Sequence, residues 1–210
     1  MSDQTPEAEW SYLESQKGNE DGPLERELAS ARAWPDWGGV PQRGDIRRLV
    51  KALHPDLLDP ATSWYRRWYF VLRLAEEVER ADRYAQPLAV MTITLPRTVQ
   101  TMLYQLHGRV AEWLGSVADE ALRVSDFPGV LAPDELAVFL PHAGRDVARR
   151  IATRVALRLE SLTPVIGIAA FPEDGRGAED LLAAARRRAS GGFGRITDLR
   201  AYRERRWPRD

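Results

Sequence analysis

Apolar residues recur along this chain in two rhythms, every second position and every third or fourth, and the changes of rhythm mark the elements. Leu88 to Leu95, LAVMTITL, is β-branched and apolar with Thr92 and Thr94 alternating, which predicts a strand that Pro96 stops. Gly129–Leu131 and Leu136–Leu140 predict a hairpin, and Pro164–Ala170, PVIGIAA, a buried strand followed by a turn at Phe171–Gly175. Helical spacing predicts a helix from a Ser63 cap to about Tyr84, with Trp64, Trp68, Val71, Leu72 and Ala75 on its buried face. On that reading Glu76, Glu77, Arg80 and Arg83 face water, and Gln86-Pro87 ends the helix. A second helical pattern runs over residues 98–122, weakened by Gly108 and Gly115. A third runs from Ala143 to Leu162, with Val147, Ile151, Val155 and Leu159 as its apolar stripe. A fourth runs from Ala178 to Ala189 and ends at Ser190-Gly191-Gly192, and Arg195–Tyr202 adds a short strand or helix. The order helix, strand, helix, hairpin, helix, strand, helix predicts an α/β domain, a sheet with helices on its faces.

The ends of the chain follow neither rhythm. Residues 1–29 carry eight acids against Lys17 and Arg26 and few aliphatics, which predicts disorder. Residues 30–48 are rich in Pro and Gly but hold Trp34 and Trp37, large rings that ordinarily cover a surface of the domain or of a protein partner. Asp45–Leu53 predicts one short helix with Asp45 as N-cap. The expected organisation is an N-terminal tail over 1–56, a domain over 57–200 and a basic tail over 201–210. The acidic head and the arginine-rich end are most simply two solvated segments, although each has the charge to recruit a partner.

Composition narrows the chemistry. The chain has 210 residues, 44% of them hydrophobic, which suits one domain with tails. Lys+Arg is 30 and Asp+Glu is 31, so no global charge points to nucleic acid or an acidic membrane. There is no cysteine, which excludes disulfides, thiolate metal sites and Cys nucleophiles. No apolar run approaches the roughly 20 residues of a membrane helix, and MSDQTPEAEW lacks the features of a secretory signal. The expectation is a soluble, cytoplasmic protein.

Several blocks, taken in order, resemble GGDEF domains, the bacterial domains that make or sense cyclic di-GMP. Asp59-Pro60-Ala61-Thr62 with Arg67 and Phe70 resembles the family's opening; Glu77–Arg83 followed by Pro87-Leu88-Ala89-Val90 resembles its first helix end and strand. His107 falls at the family's "G-H" pair, Leu136–Pro141 resembles the strand after the signature, and Gly194-Arg195 resembles the closing "G-R-N". Val165–Gly175, VIGIAAFPEDG, is the nearest match, and the similarity spans roughly residues 57–200. The resemblance implies a palm-type fold like that of nucleotidyl cyclases, a central, largely antiparallel sheet flanked by helices. It implies a reaction in which a homodimer joins two GTP molecules, each with its magnesium.

The signature itself reads Ala132-Pro133-Asp134-Glu135-Leu136. Glycine there would let a backbone approach a ligand, whereas Pro fixes φ and removes an N–H. The resemblance places the family's strand-end metal aspartates at Thr94 and Pro96, which leaves Asp134 and Glu135 as half of the metal site. Magnesium prefers carboxylate, phosphate and water oxygens, and a neutral hydroxyl is a poor substitute. The guanine-reading positions fall on Met102 and Ala111, and two phosphate-neutralising lysines on Val99 and Gly191, with Arg195 alone nearby. Phosphoryl transfer rests on such clamps. The expectation is an inactive relative of diguanylate cyclases with its magnesium site lost. A Pro-Asp pair also makes an ordinary turn, in which Asp134 and Glu135 cap a hairpin.

Arg123-Val124-Ser125-Asp126 matches the Arg-x-x-Asp product-binding motif of the family and keeps the family's register to the signature. An Arg fork meets a guanine Hoogsteen edge or a phosphate, and Asp126 can accept from the guanine N1–H and N2–H₂ edge. The resemblance adds a second Arg from the next helix, at Arg154. The simpler alternative is an i,i+3 ion pair on the surface, beside a helix full of arginines. Three functions follow from these residues. The first is a cyclic di-GMP receptor through Arg123, Asp126 and Arg154. The second is a nucleotide-free scaffold for dimerisation or a partner. The third, least favoured, is residual GTP chemistry at Asp134 and Glu135.

Overall fold

The structure, a computed structural model, describes residues 42–95, 113–117 and 120–190. The chain divides into two units, residues 1–40 and 41–210, and every described residue belongs to the second. Expectations placed on residues 1–41, on 96–112 and on 191–210 lie outside the described residues. Among them are Pro96, Val99, Met102, His107, Ala111, Gly191 and Arg195.

The described unit opens on helix α1 (Arg43–Leu53), capped by Gln42. Asp45 was expected at the cap and instead stands in the first turn, where its Oδ2 accepts the Gln42 main-chain N–H at 3.0 Å. The segment from Asp59 to Trp64 is spent on a turn. Asp59 Oδ1 accepts both the N–H and the hydroxyl of Thr62, each at 2.9 Å, and the Asp59 N–H donates to the Trp64 carbonyl. Ser63 sits inside this turn at φ 55° and caps nothing. Strand β1 (Tyr65–Arg66) follows, and only then helix α2 (Arg67–Arg83).

The late start changes which face of α2 is buried. Phe70, Leu74, Val78 and Ala81 point inward, whereas Trp68, Leu72 and Ala75 are exposed. Trp64 is buried as expected, but from the turn, with its indole N–H donating to the Leu114 carbonyl at 3.3 Å. Glu77, expected in water, is also buried. Arg80 one turn on donates to its Oε2 at 2.9 Å, and a paired carboxylate tolerates a place at the edge of the core.

Four longer elements complete the sheet and one its cover: strands β2 (Leu88–Thr94), β3 (Phe127–Ala132), β4 (Glu135–Pro141) and β5 (Val165–Phe171), and helix α3 (Arg145–Arg158) between β4 and β5. Helix α4 (Ala178–Ser190) follows β5. The strand order is β1-β3-β4-β2-β5, parallel only between β1 and β3. This is the expected mixed α/β fold, a largely antiparallel central sheet flanked by helices.

Strand alternation sorts the core into two layers. Ala89, Met91 and Ile93 face α3 and the helical residues 113–117, with Ile151, Val155 and Leu159 closing that side as the stripe predicted. Leu88 and Val90 face α2 and α4, where Phe70, Leu74, Leu181 and Leu182 pack. Close approach on this second side depends on glycine. A Cβ on Gly129 would stand 2.4 Å from the Phe70 ring, and one on Gly167 would stand 2.0 Å from the Ala185 carbonyl oxygen. The α3 helix ends earlier than expected, and Glu160–Leu162 forms a short 3₁₀ turn.

Candidate functional site

The hairpin between β3 and β4 carries the signature turn. Its register shifts between Val130 and Ala132, so that Ala132 stands opposite Glu135 with Pro133 and Asp134 at the tip. The turn is tied to the neighbouring strand end, because the Leu95 N–H donates to the Asp134 carbonyl at 2.8 Å. Thr94 lies directly across from Glu135 in the β2–β4 ladder. The structure thus brings the strand-end position and the signature carboxylate together, as the resemblance implies.

What Glu135 does there was not foreseen. Arg186, on α4, donates from Nε to Oε1 at 2.7 Å and from its second nitrogen to Oε2 at 3.1 Å. Both oxygens are engaged in a fork-on-fork pair, the stronger kind of ion pair. The hydrogen bond to Glu135 pushes the Arg186 pKa above its ordinary value. A magnesium ion at this place would have to displace a guanidinium and then find a hydroxyl at Thr94 where a second carboxylate is needed. That donor set does not fit the ion. Among the described residues no cluster of three or more acids or histidines is arranged to hold any metal.

A groove of about 170 Å³ runs beside the turn, between Asp59–Thr62 and β3. Its lining is apolar apart from Asp59 and Thr62, and among the described residues no arginine or lysine faces it. A triphosphate placed there would meet a carboxylate and no neutralising charge.

The second candidate turn lies just before β3. Asp126 N–H donates to the Arg123 carbonyl at 3.0 Å, and the Asp126 Oδ2 accepts the Arg123 N–H at 2.7 Å. The two motif residues therefore close one tight turn through a main-chain bond and a bond from the Arg123 N–H to the Asp126 carboxylate, not through an ion pair of their side chains. Asp126 is only 2% exposed, while the Arg123 and Arg154 side chains stand in solvent. Burial pushes the Asp126 carboxyl above the usual carboxylate range. The Arg123 N–H and the positive charges of Arg43, Arg123 and Arg154 oppose that rise. The free Asp126 carboxylate imagined from sequence is not found: it is enclosed and already accepts a bond.

Two residues of these sites escaped the sequence reading. Arg43, on α1, donates to the Asp126 carbonyl at 2.5 Å across 83 residues of chain. Arg186 lies on α4, within the arginine-rich end of the chain. A signal for it exists in the pattern: it follows buried Leu182 by four and precedes buried Ala189 by three, so it stands on the apolar face of α4.

Comparison with known proteins gives the fold a family context. No family model matches the chain, and no curated protein does. Among solved structures, a sensory box/GGDEF family protein from Caulobacter crescentus CB15 is 25% identical with TM-score 0.54, over 65% of this chain and 99% of that one. The GGDEF domain of PA1120 (YfiN or TpbB) from Pseudomonas aeruginosa is 26% identical with TM-score 0.50, over 62% and 91%. The GGDEF domain of DgcB from Caulobacter crescentus, solved in complex with c-di-GMP, is 16% identical with TM-score 0.56, over 67% and 91%. Among the described residues no helix is long and apolar enough to cross a membrane.

Proposed function

From its GGDEF-domain fold, we propose that this chain is a catalytically inactive member of that group which acts as a cyclic di-GMP receptor in bacterial second-messenger signalling. The observation that carries the reading is the motif turn before β3, in which the Arg123 N–H donates to the Asp126 carboxylate at 2.7 Å while the Arg123 side chain stands in solvent. The exposed Arg123 and Arg154 side chains suit the phosphodiesters of a cyclic dinucleotide, and the Arg123 fork also suits a guanine edge. Inactivity is supported by the pairing of Glu135 with Arg186, by Thr94 in place of a carboxylate, and by the lack of cationic lining, among the described residues, in the groove beside the turn. The DgcB domain binds c-di-GMP, which supports the choice of ligand. Calorimetry of the full chain with cyclic di-GMP tests the reading. Saturable binding that Arg123→Ala weakens about tenfold or more is expected for loss of a charged hydrogen bond. Binding indifferent to that change would sink it. Incubation with GTP and magnesium should yield no cyclic di-GMP.

A second reading, a nucleotide-free scaffold, is favoured by one observation. Trp68 is 55% and Leu72 49% exposed, and they lie four apart on one face of α2. If that face mediates self-association, Trp68→Glu should shift the sedimentation of the protein to a smaller species.

A further inference from the structure

A groove of about 530 Å³ lies where α2 begins, between that helix, β3 and the first turn of α4. Its volume falls within the roughly 300–1,000 Å³ of pockets that hold small organic molecules. Val71 of α2 and Val130 of β3 give it apolar walls, with the exposed ring of Trp68 beside them. Four charged side chains complete the lining: Arg66 and Arg67 at the start of α2, Asp59 in the turn before it, and Glu179 on α4. None of these residues belongs to the Arg123–Asp126–Arg154 site or to the signature turn.

Two of the four charges are committed to the fold. Asp59 Oδ1 holds the Thr62 N–H and hydroxyl, and Arg66 donates from Nε to the Leu58 carbonyl at 2.9 Å. Arg67 and Glu179 are not. Among the described residues, neither side chain makes a hydrogen bond or an ion pair. Glu179 feels the charge of Arg186, but that guanidinium is engaged by Glu135. Elsewhere in this domain an arginine facing an acid on another element closes on it, as Arg186 does on Glu135 and Arg145 on Asp174. Here an arginine of α2 and a glutamate of α4 line one cavity and stay apart.

Unmatched charges of both signs select a ligand by what they reject. A polyanion would gain Arg67 but meet Glu179 and Asp59, and a polyamine would gain the acids but meet two guanidinium groups. A molecule with one charge of each sign satisfies both sides. Its carboxylate takes the Arg67 fork in two parallel hydrogen bonds, and its ammonium group donates to Glu179. An apolar body between the two covers Val71, Val130 and the Trp68 ring.

We infer that this groove binds a zwitterion with an apolar side chain, a free aliphatic amino acid or a short peptide with uncapped ends, its carboxylate on Arg67 and its ammonium group on Glu179. It is a second ligand site, built from residues that the receptor reading does not use, and it stands or falls independently of that reading.

Calorimetry of the full chain with L-leucine and with L-leucyl-L-leucine tests the site. At least one of the two should saturate with a Kd of about 1 mM or tighter, an ordinary affinity for a ligand of that size. Tighter binding of leucine identifies the free amino acid as the occupant, and tighter binding of the dipeptide identifies the peptide. Arg67→Ala and Glu179→Gln should each weaken binding of the preferred probe about tenfold, the effect of losing a charged hydrogen bond. Both side chains are exposed, so both variants should melt with wild type. Capping the probe itself assigns its ends. Acetylating the amino end should weaken binding to wild type about tenfold and cancel the effect of Glu179→Gln, and amidating the carboxyl end should do the same for Arg67→Ala. No saturation by either probe up to about 10 mM, tenfold above that Kd, overturns the site. So does binding that survives either substitution, or either cap, undiminished. Neither result touches the receptor reading, whose probe is cyclic di-GMP and whose variant is Arg123→Ala.

Discussion

Two turns in this molecule each keep an acid of the family pattern, and they treat it in opposite ways. In the signature turn Glu135 is matched one for one: both its oxygens are held by Arg186. In the turn before β3 Asp126 is outnumbered, with Arg43, Arg123 and Arg154 all acting on it. The first arrangement is a structural clamp between hairpin and helix. The second gathers arginines from α1, from the turn itself and from α3 around one acid. The difference shows that a surviving acidic residue says little by itself; the count of charges facing it decides whether it is a strut or a site.

The largest effect should come from prying α4 away from the sheet, which removes the clamp wholesale. Gly167 lies on β5 against α4, and a Cβ there would meet the Ala185 carbonyl oxygen at 2.0 Å and the Ala189 nitrogen at 2.7 Å. Backbone cannot swing aside as a side chain can. Gly167→Ala should cost about 3 kcal/mol of stability, at the upper end of ordinary overpacking. Urea denaturation measures it. A loss below about 1 kcal/mol would mean that α4 rides loosely on β5 and that the Glu135–Arg186 pair is not a rigid strut.

A third acid calibrates the other two. Asp174, after β5, accepts from Arg188, from Arg145 at 2.6 Å and from the Ala170 N–H at 2.7 Å. These partners, Arg188 first, hold its carboxyl well below the usual carboxylate range. Asp174→Asn should cost about 2 kcal/mol at pH 7, the scale of charged hydrogen bonds. The sign with pH follows from linkage. A carboxyl whose folded pKa is depressed contributes stability in full above its unfolded value, about 3.9, and loses it as pH falls from there towards the folded value. The gap between wild type and Asp174→Asn should therefore close below about pH 4. Asp126 runs the other way. Burial raises its folded pKa, so the folded state takes up its proton first and wild type gains on Asp126→Asn as pH falls towards about 3.9. Thermal melts across pH 3 to 7 would read both trends. If the two variants track each other, Asp126 is a strut like Asp174 and the contrast between the turns fails.

Much of this was legible in the chain, and what was not has a common physical cause. The strands at Leu88–Thr94 and Val165–Phe171 could be read because both faces are buried, which leaves an unbroken apolar run. The stripe Val147, Ile151, Val155, Leu159 could be read because it repeats with the helix. The buried face of α2 could not: Trp64 and Trp68 dominate any sum of hydrophobicity, yet a turn closed on Asp59 puts the first in the core and the second in solvent. The clamp and the Arg43–Asp126 bond were invisible for a different reason. Glu135 and Arg186 are 51 residues apart, Arg43 and Asp126 83, and no local rhythm encodes a pairing over such a distance. The motif Arg123-x-x-Asp126 was found, but as two side chains facing a ligand. Its carboxylate in fact folds back on the N–H three residues earlier, a local bond that Asp makes readily.

Breaking only the clamp is a gentler perturbation. Arg186→Ala leaves Glu135 partly enclosed and without its fork, and should cost about 1.5 kcal/mol. It should not restore chemistry. Thr94 is still a hydroxyl and, among the described residues, no cation lines the groove beside the turn, so GTP with magnesium should remain unconverted. Turnover in Arg186→Ala, followed by chromatography of the nucleotides, would show that the arginine alone had been silencing a competent site.

The smallest effect on stability should be the one with the largest effect on binding. Arg154 stands in solvent on α3, beside buried Val155 but outside the core. Arg154→Ala removes one exposed cation and should change stability by no more than about 0.5 kcal/mol. If the exposed arginines beside Asp126 receive an anion, the same change should weaken cyclic di-GMP binding about tenfold, as loss of a charged hydrogen bond would. It should also flatten the dependence of binding on salt, because one fewer charge is screened. A structural role predicts the reverse, a measurable loss of stability with binding untouched. Denaturation and calorimetry on this one variant therefore separate the two meanings of a carboxylate among arginines, and do so where the fold itself is least disturbed.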